Sequence, residues 1–483
     1  MKINELEPKI VWKYFDEITR IPRPSKKEEK IIAYIEDVAA KAGIPVKKDA
    51  AGNLLLTKPA TKGFEDRPTV ILQAHLDMVC EKNSDVVHDF DNDPIKTVVD
   101  GDWLRAQGTT LGADNGIGLA AALAVVMSDD IEHGKIECLF TVDEETGLTG
   151  ANALQSGFMT GKILLNLDSE DEGQIFIGCA GGKGTIATFK CPAIKADDRK
   201  SFFRVGVSGL KGGHSGCDIE KGRGNANKIL ARFLYAGMKN FDNFGLSTIK
   251  GGNLHNAIPR EASAVIGIMP EDREQLSVAL NVFAADIANE LKKTDPDVKI
   301  TLESVEMPQY ELISDNFHRL VYALLTCPHG VISMSRDIDD LVETSTNLAS
   351  VKMADDDKII VETSQRSSIE SAKQAIGEQV EAVFRFAGAE VTFRDGYPGW
   401  APNPDSKILK VALESYRRLF GKDAEIKAIH AGLECGLFME KYPDLDMISF
   451  GPTLYGVHSP DERIEIPTVG MWWQHLLDVL RNV

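Results

Sequence analysis

Seven residues in this 483-residue chain have side chains and surroundings suited to chemistry: His75, Asp77, Asp114, Glu144, Glu145, Asp168 and His458. His75 and Asp77 are two apart at the end of the apolar run Thr69-Val70-Ile71-Leu72. On an extended backbone, residues i and i+2 share a face, so an imidazole and a carboxylate arrive together. Taken singly, each residue has a plain structural explanation. Asp114 reads as a helix cap, Glu144-Glu145 as a solvated acidic turn, Asp168 as a turn former and His458 as a loop histidine. Taken together they form a carboxylate and imidazole set without thiolate, which suits hard-to-borderline divalent metals. The Glu144-Glu145 pair offers a division of labour, one carboxylate on a metal and its neighbour accepting a proton from a metal-bound water.

The elements that must hold these residues read as α/β. The apolar runs ending at His75, at Val142 and at Leu167 are buried strands. Each delivers its acids or imidazole at a strand end, the edge where open α/β sheets bind ligands. Leu119 to Met127 reads as a helix, with Asp114 just ahead of it where free N–H groups favour a carboxylate. The earlier helices are Ile10 to Glu17 and Lys26 to Ala42, the second capped by Ser25. Gly116-Ile117-Gly118 superficially matches a dinucleotide-binding fingerprint, but no strong strand runs into it, and a tight turn around Asp114 explains the glycines.

After about residue 185 the texture changes. Phe202–Gly209 alternates like a strand with one wet face, and helices are expected from Asn225 to Tyr235 and from Pro270 to Lys292. The stretch 254–268 faintly resembles 346–363, which suggests two related units in one insertion. From about Ala401 the α/β pattern returns, with helices Ser406 to Phe420 and Val469 to Leu480. The expected domains are therefore a catalytic domain in two segments, 1–185 and 401–483, around an inserted domain, 186–400.

Composition narrows the function. Hydrophobic residues make up 43% and charged residues 26%, as in an ordinary globular protein. A net charge of −19 argues against nucleic acid or an anionic membrane as partner. No run approaches the roughly 18 apolar residues of a membrane span, and the first residues carry no apolar leader. The seven cysteines are scattered without a Cys-x-x-Cys, which fits a reducing cytoplasm. No Gly-x-Ser-x-Gly elbow favours a serine hydrolase.

In order and spacing, His75-Leu76-Asp77, Gly112-Ala113-Asp114-Asn115-Gly116, Glu144-Glu145-Thr146-Gly147, Asn166-Leu167-Asp168 and His458 resemble the co-catalytic zinc exopeptidase superfamily of carnosinases, aminoacylases, tripeptidases and glutamate carboxypeptidases. Asn166–Glu170, Ala180-Gly181-Gly182, Gly209–Gly216 and His430–Gly436 resemble its aminoacyl-histidine dipeptidase branch. The resemblance implies a three-layer catalytic domain with a mixed, largely parallel sheet, and an inserted α/β lid of two related subunits. It implies two divalent ions per chain, zinc first, with manganese or cobalt as alternatives. Asp114 would bridge them, His75 and Asp168 completing one site and Glu145 and His458 the other. Glu144 would be the general base, Asp77 would orient His75, and His214 would donate to the oxyanion. Asn256 and Arg366 would take the substrate carboxylate and Glu434 its free α-amino group. The expected activity is metal-dependent hydrolysis of dipeptides with a free N-terminus, including Xaa-His dipeptides such as carnosine, by a cytoplasmic monomer or homodimer. The alternatives are an N-acyl amino acid amidohydrolase on the same scaffold and an inactive binding protein.

Overall fold

The computed structural model describes residues 3–354 and 357–483. The chain forms two units: Met1–Gly178 with Trp400–Ala428 and Leu433–Val483, and Cys179–Gly399 with Ile429–Gly432. The boundary read from composition at 185/186 falls inside the strand Gly181–Lys190, which pairs along its length with strands of the second unit.

In the first unit the apolar runs become the centre of an eight-stranded sheet. Ile136–Thr141, Val70–His75, Ile163–Asn166 and Asp446–Ser449 run parallel. They are buried almost throughout, which is why they read as continuous apolar segments rather than alternating ones. Antiparallel strands flank them, with Leu54–Lys58 and Val46–Lys48 on one side and Gln174–Cys179 on the other. Helix Ala113–Met127 is apolar all round and packs on helix Lys9–Thr19 and on Val70–His75. A small antiparallel sheet joins Leu454–Tyr455, Arg463–Glu465, Trp103–Ala106 and Thr97–Asp100, and so closes the loop that carries His458.

Two local expectations are corrected. Helix Glu29–Ala42 starts later than Lys26, with Glu28 and not Ser25 at its cap position and no side-chain cap bond, and the Ser25 hydroxyl donates to Asp77. Asp114 does not cap its helix: its φ/ψ is non-helical and its carboxylate turns toward imidazoles.

The second unit is one nine-stranded sheet whose pairings are antiparallel. Lys299–Val305, Ser201–Ser208, Ala262–Ile268 and Gly245–Gly251 form one half, and Val342–Ala354, Lys358–Ser367, Gly181–Lys190 and Glu390–Tyr397 the other, with Gly330–Met334 as the ninth strand beside Val342–Ala354. The halves join through the single pair Gly251–Val351. This gives the two-part construction expected from the faint internal likeness. Asn225 caps helix Ala226–Asn240 by accepting from the Lys228 N–H. The expected helix from Pro270 becomes a short 3-10 turn followed by Arg273–Glu290. Helix Ser314–Thr326 escapes the sequence reading, although Phe317, Leu320, Val321 and Leu324 have helical spacing and are buried.

Candidate metal and active site

Parallel pairing explains the gathering of acids in the first unit. His75 lies opposite Thr141, and Gln73 opposite Asn166. The residues just beyond those ends (Asp77, Glu144, Glu145 and Asp168) therefore leave the sheet at one edge. Asp114 reaches the same place from the turn before its helix. His75 Nε2 is 3.1 Å from Asp114 Oδ1 and 3.4 Å from Asp168 Oδ1. His458 Nε2 is 3.2 Å from Asp114 Oδ2 and 3.0 Å from Glu145 Oε2. The two oxygens of Asp114 thus face different imidazoles. Three groups have donor atoms close enough to share an ion: His75–Asp114–Asp168, Asp114–Glu145–His458 and His75–Glu144–Glu145.

Asp77 faces away from this cluster and holds it. One of its oxygens is 3.3 Å from His75 Nδ1, and the carboxylate accepts from Ser25 Oγ at 2.7 Å. It also accepts the backbone N–H groups of Glu144 at 3.0 Å and Glu145 at 3.2 Å, at the start of the single-turn helix Glu144–Gly147. One carboxylate therefore orients the imidazole and fixes both glutamates, leaving Nε2 of His75 as the face toward the acids. Asp143, with φ 51°, and His458, with φ 60°, sit in left-handed backbone at the two turns that aim these side chains.

The electrostatics are those of crowded acids. Burial raises Glu144 well above its ordinary value, and Asp168, Glu434 and Glu145 add to this against the opposing His75. Asp168 is pushed up to about 6, by burial first and by Asp114 and Glu145 in addition. His458 is lifted to about 11 by its hydrogen bonds to Asp114 and Glu145. Burial opposes charge on His75, but Asp168, Asp114 and Asp77 outweigh it and raise the imidazole well above the ordinary range. Against burial, Asp114 is held well below the carboxylate range by His458 and His75. The imidazoles, held as cations, supply the charge that the carboxylates require. Divalent cations suit the same all-oxygen-and-nitrogen set, and their binding would displace those protons. Glu145 Oε1, buried with no hydrogen-bond partner among the described residues, is a further donor for one.

Several supporting residues were not singled out from the sequence. Arg23, 2% exposed, donates to the carbonyls of Leu76 at 2.9 Å, Asp77 and Gly112. Glu462 accepts backbone N–H groups of residues 111–114. Asn115 donates to Leu167 O at 2.9 Å and to Asp168. A signal existed for Arg23, a charge between two prolines, and for Glu462, four residues past His458. The glycines of the turn are also explained. A Cβ on Gly116 would meet Arg23 Nη2 at 2.7 Å, and one on Gly118 would meet Asn115 Oδ1 at 2.1 Å. Close packing, not a dinucleotide, demands them.

Glu434 also lies in the first unit and is 0% exposed. Its Oε2 accepts from Gln73 at 2.6 Å and Thr141 at 2.8 Å, while Oε1 is buried with no hydrogen-bond partner among the described residues. Burial pushes it up to about 8, so it is a largely neutral acid at pH 7.

The second unit gathers donors. Gly213–His214 pairs with Ala257–Ile258. His214 Nδ1 accepts the N–H groups of Gly216 at 3.3 Å and Cys217 at 3.2 Å. Its proton is therefore on Nε2, which lies 3.4 Å from Arg366 Nη2. Two donors facing each other share an acceptor rather than bond to one another. Burial, then Arg366, lowers His214 and keeps it neutral. Arg366 also donates to Tyr397 Oη at 2.8 Å, and its Nε is buried with no hydrogen-bond partner among the described residues. His430 is bonded to Ser345 Oγ at 2.7 Å and is lowered to about 3, by burial first and Arg366 second. Asn256 enters through its backbone, accepting from the Ser215 N–H at 2.8 Å.

Comparison with known proteins agrees with the motif reading. The model of peptidase family M20/M25/M40 matches residues 71–481. A cytosol non-specific dipeptidase from Escherichia coli (strain K12) is 42% identical over 482 residues, 100% of this chain and 99% of the relative. The crystal structure of an aminoacylhistidine dipeptidase from Vibrio alginolyticus is 42% identical with a TM-score of 0.94, covering 100% of this chain and 98% of that one. The aminopeptidase PepT from Bacillus cereus, at 17% identity and a TM-score of 0.62 over 99% of this chain and 98% of its own, shares the fold. No helix among the described residues is long and apolar enough to cross a membrane. By sequence, by fold and by the order of its acidic and imidazole motifs, the chain belongs to peptidase family M20/M25/M40.

Proposed function

We propose that this protein is a metallo-dipeptidase that hydrolyses dipeptides with a free amino terminus, Xaa-His dipeptides such as carnosine among them, using two divalent cations, zinc foremost. The family and the 42%-identical dipeptidase relative support the reaction class. The observation that carries the two-cation reading is Asp114, whose separate oxygens face His75 on one side and His458 on the other. His75, Asp114 and Asp168 would hold one ion, and Asp114, Glu145 and His458 the other. When bound, such ions polarise a peptide carbonyl and acidify water.

The protein's own residues do the rest. Glu144, raised by burial and by neighbouring acids, has a proton affinity suited to taking a proton from water and passing it to the leaving amine. Asp77 keeps His75 and Glu144 in register. His214, neutral and protonated on Nε2, donates to the oxygen that gains charge. Arg366, with Asn256 nearby in sequence register to His214, serves the substrate carboxylate. Glu434 has one oxygen tied to Gln73 and Thr141, and the other receives the α-amino group. The scattered cysteines, with no Cys-x-x-Cys spacing, and a relative named for the cytosol support a cytoplasmic location.

The test is reconstitution. Chelator-treated protein should regain hydrolysis of a free dipeptide panel as zinc is added to two equivalents, and N-acetylated versions of the same dipeptides should be poor substrates. Full activity without metal, or equal turnover of acetylated and free dipeptides, would refute the reading.

A further inference from the structure

The structure assigns to Glu462 a positioning role: it latches the His458 loop to the Asp114 turn and so preorganises the second of the two cation positions. The inference rests on the two-cation reading above. Glu462 is 2% exposed, and its carboxylate is taken up by backbone N–H groups. Its Oε2 accepts the N–H groups of Leu111 at 2.7 Å and Gly112 at 3.0 Å. Its Oε1 accepts those of Ala113 at 2.7 Å and Asp114 at 3.3 Å. Four successive backbone donors thus close on one buried carboxylate.

These donors stand at the N-terminus of helix Ala113–Met127, whose first N–H groups have no partner within the helix. A local Asp or Ser side chain usually serves them. Here a carboxylate from about 350 positions later does so. The turn that carries Asp114 is held through its backbone, and the two oxygens of Asp114 face the two imidazoles. On the other face of the turn, Arg23 takes the Gly112 carbonyl while also holding the carbonyls of Leu76 and Asp77. Gly112 is thus held at its N–H by a carboxylate and at its carbonyl by a guanidinium, and charge-assisted bonds of this kind are the strong ones.

The two cation positions are therefore built differently. In the His75–Asp114–Asp168 position, His75 and Asp168 stand at the ends of adjacent parallel strands, and the shared Asp114 turn is held by Arg23 as well as by Glu462. The Asp114–Glu145–His458 position depends on a loop, 456–462, whose His458 has φ 60° and a half-exposed side chain. Within that loop only three residues separate His458 from Glu462, so the latch sets where His458 meets Asp114. Loss of the latch should weaken the second position and spare the first.

The experiment titrates Zn2+ into metal-free full-length protein by calorimetry, comparing wild type, Glu462→Gln, Glu462→Asp and His458→Ala. Wild type should bind two ions. His458→Ala should lose the weaker one outright. Glu462→Gln, isosteric but uncharged, should keep the first affinity and weaken the second about 10- to 100-fold, the usual range for partners that orient ligands. Glu462→Asp, which keeps the charge on a shorter stem, should fall between. Equal weakening of both ions, or two affinities within about twofold of wild type, overturns the latch. If Glu462→Gln does not fold without metal, the same unequal-against-equal comparison is read from Glu462→Asp. A wild type that binds fewer than two zinc ions refutes the underlying two-cation reading instead, and is recognised as such before any variant is compared.

Discussion

The two units collect opposite kinds of group. In the first, Asp114, Glu144, Glu145 and Asp168 crowd around two imidazoles, so acceptors dominate and the carboxyls of Glu144 and Asp168 are pushed up. In the second, burial first and Arg366 next push the imidazoles of His214 and His430 down, so donors dominate. The same residue type is thus driven in two directions: His458 to about 11 and His430 to about 3. An acceptor cluster calls for cations and a donor cluster for anionic oxygens. A peptidase requires both, because the reaction places negative charge on an oxygen while a proton moves from water to nitrogen.

The largest effect should come from Glu144, whose carboxyl burial raises well above its ordinary value. Glu144→Gln should lower kcat about 10²- to 10⁴-fold, the span of a general base, while metal content measured on the purified protein stays unchanged. If metal is lost together with activity, Glu144 is a ligand and the division of labour with Glu145 fails. Next comes the donor cluster. His214→Ala should cost about 10²- to 10³-fold in kcat with little change in KM, as removal of an oxyanion donor does. A loss confined to KM would make His214 a binding group and erase the distinction between it and Arg366.

The first cluster was far more legible in the sequence than the second. His75, Asp114, Glu145, Asp168 and His458 are acids and imidazoles at strand ends and turns, and residue type with local pattern is what a sequence displays. The parallel centre of the sheet was legible for the same reason, since strands buried on both faces read as unbroken apolar runs. What Glu462 and Arg23 hold was not legible, because their partners are backbone N–H and carbonyl groups. Backbone groups are identical at every position, so nothing in residue type marks which turn a distant carboxylate will close. The His214 tautomer was hidden likewise, being set by two backbone N–H groups. Ser25 misled because a Ser before a helical run is a good cap by propensity, yet a buried Asp77 made a stronger claim on its hydroxyl.

A smaller effect separates charge from geometry in the second unit. Arg366→Ala should raise KM for dipeptides about 10- to 100-fold, in keeping with about 1.5–3 kcal/mol for hydrogen bonds to a charged group. Arg366→Lys should recover little of it, since a point charge cannot reproduce the fork that also holds Tyr397. Recovery by lysine would mean that the donor cluster acts by charge alone.

The smallest effect concerns Asp77, which like Asp114 is an acid of the first unit's set whose carboxyl goes down because it faces donors. Burial alone would raise it, but His75, Ser25 and the Glu144 N–H outweigh burial and hold it at about 2, against an ordinary 3.8. A carboxyl depressed in the folded state contributes stability that is present above its unfolded value and lost as pH falls through its folded one. Here the window runs from 3.8 down to about 2. A shift of this size corresponds to about 2 kcal/mol. Urea unfolding of the metal-free protein should therefore show wild type more stable than Asp77→Asn at pH near neutral, with the gap closing across that acid window. His458 has the opposite sign. Raised to about 11, it contributes stability below its ordinary 6.5 that disappears as pH climbs through the folded value. His458→Ala should accordingly diverge from wild type in neutral solution and converge with it only at alkaline pH. If both variants instead kept a pH-independent gap, the two residues would be contributing packing rather than charge, and the contrast between an acid stabilised by donors and an imidazole stabilised by acids would no longer describe this site.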